Sequence, residues 1–254
     1  MIYKLLKTSY YRYLASQYRF PDDYKRFYLF HIRKTGGTSL NHIFLSLGEQ
    51  EDGPLYDRLS CSSEHRIVSG KKVFVGWDKK IIEEGNYFYA FSHIPFHLLK
   101  LPKYTFTITC LRNPLDRVIS HYKMLLHYRK NNIEHPCMIT EGEWLGNGFE
   151  DFLKRIPKEH LLNQLYMFSD SYNVEEAYQN IISSSYYFFT ENFQKGILNL
   201  SRKSNYALHI QHVRKNENVV NIENNLLKVL EELLAPELIL YEKLQLEWIR
   251  KYGR

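Results

Sequence analysis

The sequence is poor in the features that would staple or anchor a small protein. Its 254 residues include three cysteines, Cys61, Cys110 and Cys137. No two have the spacing of a metal site, and an odd number rules out a fully paired disulfide framework. Reduced thiols are the simplest expectation, with a Cys61–Cys137 bridge left open. No long apolar run occurs. The opening "MIYKLLKTSYYRYLASQYRF" is broken by Lys4, Lys7, Arg12 and Arg19, so it reads neither as a membrane span nor as a signal peptide. Ile2, Leu5, Leu6, Tyr13 and Leu14 instead fit an amphipathic helix laid on the domain. Taken as a complete chain, the protein is expected in the cytoplasm. Repeats and low-complexity tracts are also missing, and no linker divides the chain. The expectation is one domain over residues 1–254, with residues 1–24 as a helical extension.

What is present is a hydrophobic fraction of 44%, enough for a sizeable core. The formal charge is +6. That excess favours anionic partners. Lysine and arginine are scattered rather than clustered, which argues against a nucleic-acid surface. No cluster of metal-ligating residues stands out, and no metal is expected.

The first half alternates short apolar strands with helical stretches. "RFYLFHI", "KKVFVGW", "NYFYAFSH" and "KYTFTITCL" read as strands, and Thr38–Leu47 and residues 115–130 as helices. Such alternation predicts an α/β fold, a mostly parallel sheet flanked by helices. The second half turns mainly helical, interrupted by the strand "SYYFFT" and ending in two helices separated near Pro236. Residues 48–72 read as a variable loop, and residues 131–148 as an irregular loop or a lid.

Two strand ends carry the chemistry. In "HIRKTGGTSL", residues 31–40, a strand runs into a basic glycine turn and then a helix. A helix N-terminus offers unpaired N–H groups and the positive end of its dipole. Gly36 and Gly37 allow close approach of a ligand, Thr38 and Ser39 supply hydroxyls and caps, and Lys34 adds a full charge. The order differs from G-x-x-x-x-G-K-[ST], because the lysine precedes the glycines. In "LRNPLDRVISHY" a second strand ends at Arg112, Pro114 starts a helix, and Ser120 follows two turns later. Arg112 is suited to a second phosphate; the plainer alternative is that it pairs with Asp116 or caps a carbonyl. Two anion grips on one sheet match a nucleoside 3′,5′-bisphosphate.

At these residues the sequence resembles a family. "HIRKTGGTSL" is similar to the 5′-phosphosulfate loop of sulfotransferases that use 3′-phosphoadenylyl sulfate (PAPS), in the form typical of the branch containing the carbohydrate 2-O-sulfotransferases. "TCLRNPLDRVISHY" resembles that branch's 3′-phosphate motif. "NQLYMFS", "FFTENFQKGILNL", "HVRKNEN" and "PELILYEKL" are weaker likenesses further along. The resemblance implies a P-loop-like fold and sulfuryl transfer from PAPS to a hydroxyl on a glycan or small molecule, releasing the 3′,5′-bisphosphate (PAP) without a metal. It implies donor contacts from Arg33, Lys34, Thr35, Gly36, Gly37, Thr38, Ser39, Arg112 and Ser120, and from Arg214 and Lys215 in the late basic loop. Lys34 is expected to stabilise the departing phosphate. His93, directly after an apolar strand, is the expected general base, with Ser92 where many relatives have glycine. His97 is the next histidine in line, Glu141, Glu143 and Asp151 are carboxylate alternatives, and His121 is placed near the nucleotide. His31 reads as a core histidine. Tyrosine abundance leans toward a glycan acceptor. A phosphotransferase, or a non-catalytic nucleotide-binding relative, is the competing reading.

Overall fold

A computed structural model describes residues 2–61, 64–210 and 221–252. Arg214 and Lys215 lie outside the described residues. Six strands form one sheet: β1 (Arg26–Phe30), β2 (Arg66–Ser69), β3 (Lys72–Gly76), β4 (Tyr89–Ser92), β5 (Thr105–Leu111) and β6 (Tyr186–Phe189). Their order is β2-β3-β4-β1-β5-β6, and only the β2–β3 pair is antiparallel. All of β4 and β6 is buried, as expected of strands covered on both faces, which is why "YAFS" and "YYFF" show no alternation. β1 is central, yet the next segment of chain runs to the far edge and returns through β4 before crossing to β5. The carboxyl ends of β4, β1 and β5 therefore stand side by side, where ligands collect in open α/β sheets.

The expected strands are all present, with trimmed ends. Three expectations need correction. Residues 48–72, read as a variable loop, contain a helix, Asp52–Cys61, and strand β2. β2 joins β3 through Gly70 and Lys71, both at positive φ (55° and 58°), the backbone of a two-residue hairpin that matches strand twist. Residues 131–148, read as a loop or lid, hold a helix at Pro136–Glu141 and a 3₁₀ turn at Gly142–Leu145. Cys137, Trp144 and Leu145 are buried there, and His135 Nδ1 caps the helix by accepting from the Cys137 N–H at 3.2 Å. Polar surface residues masked these apolar anchors. Cys110 and Cys137 are free thiols; the Cys61 side chain lies outside the described residues.

The third correction concerns the C-terminus. Asn224–Tyr252 is one helix with Pro236 inside it, not two. An interior proline costs about 3 kcal/mol. Burial of Leu230, Leu234, Leu240, Leu244 and Trp248 on both sides of it offsets that cost. Next to the proline, Glu237 is 1% exposed and accepts from Arg117 Nε at 3.2 Å, with Arg117 fully buried. The same carboxylate accepts from the backbone N–H groups of Gln164 and Leu165 at 3.0 and 3.2 Å. Arg117 also donates to the carbonyls of His160 and Leu161. This network ties the long helix to the helix after β5 (Pro114–Lys130) and to the short helix Asn163–Tyr166.

The N-terminal helix, Ile2–Gln17, packs on the domain as expected, through Leu14 of the expected face and through Tyr11, which was not on it. Leu14 is buried and Tyr11 lies 4.6 Å beneath the Arg66 guanidinium, while Leu6 and Tyr13 are exposed. No helix among the described residues is long and apolar enough to cross a membrane.

The Glu237→Ala variant removes the counter-charge and leaves Arg117 buried and unpaired. It should lose about 3–5 kcal/mol of stability, read as a lower denaturation midpoint in urea. A change below about 1 kcal/mol would show that the network carries no such role.

Candidate functional site

The glycine turn is shaped by backbone conformations that few residues adopt. Lys34 has φ +67° and Gly36 φ +81°. A lysine in this region carries strain of about 1–3 kcal/mol, and a Cβ on Gly36 would be strained and crowd Thr190 and Phe193 at 3.2 Å. Thr35, 1% exposed, donates its hydroxyl to the Ile32 carbonyl at 3.0 Å and closes the turn. The helix that follows is Gly37–Leu45, and no side chain caps it. Thr38 and Ser39 thus do not act as its caps. Because the cap residue is glycine, the first N–H groups keep their donor capacity for an incoming anion.

Gly37 has a further reason to be glycine. A Cβ there would sit 1.9 Å from His31 Cδ2. His31 is a core histidine, as read from the sequence: its ring fills the space under the turn. Burial, reinforced by the nearby Arg33 and Lys34 charges, pushes its pKa down to about 3, so it stays neutral. Its Nδ1 faces the Asn41 amide at 3.5 Å, and Asn41 Oδ1 accepts from the Tyr89 hydroxyl at 2.7 Å.

Arg112 comes to the same place from β5. Its Nη1 donates to the Lys34 carbonyl at 3.3 Å. Arg112, Gly36, Ser39, Asp116, Thr190, Glu191 and Phe193 line one cleft of about 290 Å³. Asn113 begins the next helix: its side chain accepts from the N–H groups of Leu115 and Asp116, and its own N–H donates to Glu191 at 2.7 Å. Asp116, Ser120 and Met124 follow at four-residue intervals on one face of that helix. Asp116 lines the cleft and Met124 Sδ lies 3.3 Å from Lys34 Nζ, so Ser120 stands between two residues that face the turn. Thr190, Glu191 and Phe193 lie in "FFTENFQKGILNL", a segment of weaker likeness whose residue types do not single them out as cleft residues.

Arg33 turns another way. It forms an ion pair with Glu141, which is 2% exposed, and Glu141 accepts from His121 Nε2 at 2.6 Å. Burial opposes the Glu141 charge, but His121 and Arg33 outweigh it and hold its pKa below the usual range. Burial brings His121 down to about 4 despite that carboxylate. His121, with no exposed surface, faces Glu141. This arrangement straps residues 136–145 to the turn. Glu143 is exposed on that segment, and the Asp151 carboxylate accepts from the Asn147 N–H at 2.9 Å.

His93 follows β4 beside these groups. Its Nδ1 donates to the His31 carbonyl, which fixes the proton on Nδ1 and leaves the lone pair on Nε2. Its ring lies 4.5 Å from the His31 ring and 4.7 Å from Trp77. Burial, with His31 and Arg33 nearby, pushes its pKa well below the ordinary value. His97 sits in the 3₁₀ turn Phe96–Leu98, with Nε2 3.4 Å from Asp170. Among the described residues no group of three or more His, Cys, Asp and Glu side chains is placed to hold a metal ion.

Two predictions arise from the buried histidines. Each binds protons in the unfolded chain below pH about 6.5 but not in the native one until its depressed pKa is reached. Stability is therefore intact above that pH and falls as pH drops, by up to about 1.4 kcal/mol per pH unit for each such group. Denaturation midpoints measured at pH 7 and pH 5 should differ markedly, and His31→Asn should flatten the difference. Gly37→Ala should cost about 1–3 kcal/mol through overpacking against His31, read in the same assay; an unchanged midpoint would contradict the close approach.

The family model described as "Sulfotransferase family" matches residues 16–228, from the end of the N-terminal helix to the start of the last one. No curated protein matches the chain significantly. With the span covering most of the chain, the glycine turn and Arg112 included, the protein belongs to the sulfotransferase family.

Proposed function

We propose that the protein transfers the sulfuryl group of PAPS to a hydroxyl of a glycan or small-molecule acceptor, as the carbohydrate 2-O-sulfotransferases do. Family membership supports sulfuryl transfer. The observation that carries the donor assignment is the shared cleft: an uncapped helix N-terminus beside Lys34, and Arg112 touching the Lys34 carbonyl. A donor with a phosphosulfate at one end and a 3′-phosphate at the other suits a cleft of about 290 Å³ lined by Arg112 and by the uncapped helix start at Gly36 and Ser39, with Lys34 next to it in the turn.

In this reading Lys34 and the N–H groups of Gly37, Thr38 and Ser39 hold the 5′ end, while Arg112 and Ser120 hold the 3′-phosphate. Arg214 and Lys215 are proposed to close over the nucleotide. Arg33 supports the turn through Glu141 rather than by direct contact. His93 Nε2 takes the acceptor hydroxyl proton as the new O–S bond forms and the S–O bond to the donor phosphate breaks. Lys34 and the backbone donors stabilise the electron pair left on that phosphate oxygen. Preorganised donors of this kind contribute about 3–4 kcal/mol each. Glu141, already paired twice in a buried position, is a poor base. A neutral His93 with its tautomer set by the His31 carbonyl is a better one. The site of action is proposed to be the cytoplasm.

Incubation with labelled PAPS and a panel of hydroxylated acceptors tests this. Lys34→Ala should lower kcat/KM about 10²–10³-fold. His93→Ala should remove turnover while leaving PAP affinity within a few-fold. Because the neutral imidazole is the active form and its pKa is depressed, the rate should stay level from pH 8 to below 6.5 and fall only in more acid solution. Tight magnesium–ATP binding without preference for a 3′-phosphate would instead favour a phosphotransferase.

A further inference from the structure

The two strand tips that form the donor cleft are held by neighbouring residues of one short helix. Asn163 Oδ1 accepts from the Arg33 backbone N–H at 3.2 Å. Gln164 Oε1 accepts from the Arg112 N–H at 2.8 Å, and its Nε2 donates back to the Arg112 carbonyl at 2.9 Å. Both amides are buried, at 8% and 1% exposure. We propose that Asn163 and Gln164 are positioning residues that set the separation between the 5′ and 3′ phosphate grips, an inference that rests on the donor assignment above.

The sheet itself does not fix this separation. The β5–β6 ladder ends at Leu111↔Phe189 and the β1–β5 ladder at Phe30↔Thr109. Arg112 and Arg33 lie past the last pairs, where a free tip would swing. A primary amide has the donor and acceptor of a peptide group, so Gln164 extends the ladder by one residue on the side where no strand continues. The Gln164 amide is itself held, because Nε2 also donates to Glu237 Oε1 at 3.0 Å and its backbone N–H donates to Glu237 Oε2. The Asn163 amide is held by donating to the Glu159 carbonyl at 2.9 Å. Since residues 163 and 164 are adjacent, the turn and the Arg112 tip are tied to one rigid point. A spacing of this kind is what a ligand gripped at both ends reads most sharply.

The two amides act on different ends, so they can be told apart by ligand. Calorimetric affinities would be measured for adenosine 3′,5′-bisphosphate and for adenosine 5′-phosphate, which lacks the group assigned to Arg112. The wild-type protein should prefer the bisphosphate by about 10–100-fold, the range of a charge-assisted contact. Gln164→Met should lose most of that preference with little change in 5′-phosphate affinity, and should add nothing when Arg112 is already alanine. Asn163→Leu should weaken both ligands together and leave the preference intact. If Gln164→Met fails to fold, Gln164→Asn, which withdraws the same amide by one methylene, carries the test. Preference retained in a folded Gln164 variant, or an equal further loss in the Arg112→Ala background, would overturn the positioning role while the donor assignment stood. A wild-type protein without preference for the 3′-phosphate would overturn the donor assignment and this inference with it.

Discussion

The Glu237 carboxylate is the interaction on which the functional end of the sheet depends. It is buried next to a proline in the middle of the last helix, and it accepts from a guanidinium, a side-chain amide and two backbone N–H groups. A buried carboxylate is tolerated only when its lone pairs are filled this completely. Satisfying it draws three separated pieces of chain together: the helix after β5, the Asn163–Tyr166 turn of helix and the C-terminal helix. The strand tip carrying Arg112 is pinned as a result, because the amide that holds it is one of the donors Glu237 uses.

Around that anchor the charges are sorted. Arg33, one residue before Lys34, is drawn away by Glu141. His31, His93 and His121 are kept neutral by burial. The positive charge left facing the cleft is that of Arg112, with Lys34 beside it across the turn. Two carboxylates share the cleft wall with Arg112: Glu191, which accepts from the Asn113 N–H, and Asp116 at the exposed rim. The αL conformations at Lys34 and Gly36 direct the Lys34 carbonyl to Arg112 and leave the helix N-terminus uncapped. Strain in the turn is thus coupled to the contact between the two grips.

Several elements were legible because their signals are local. The strands β1, β3, β4, β5 and β6 announce themselves by runs of β-branched and aromatic residues, and the two anion motifs by glycine, lysine and arginine at strand ends. β2 was hidden because a four-residue edge strand, "RIVS", is too short to show a pattern; its hairpin partner and the Gly70–Lys71 turn define it. Pro236 predicts a break because proline interrupts helices in isolation, and only the burial of flanking leucines on the domain outweighs that and keeps the last helix continuous. Residues 136–145 looked like a polar loop because their few apolar anchors meet partners far away in sequence.

The amino-acid sequence by itself determined the α/β alternation, the family and the two glycine- and arginine-bearing strand ends, since each rests on residue type and spacing within a dozen positions. Only the tertiary structure decided what each charged or polar side chain does. It turned Arg33 to Glu141, set Gly37 against the His31 ring, gave His93 its tautomer through the His31 carbonyl, and placed Asn163 and Gln164 across both tips. Apart from the Gly37–His31 approach, these contacts join residues tens of positions apart, and no local pattern encodes them. Their strength comes from exclusion of water, which is a property of the assembled core and not of any segment.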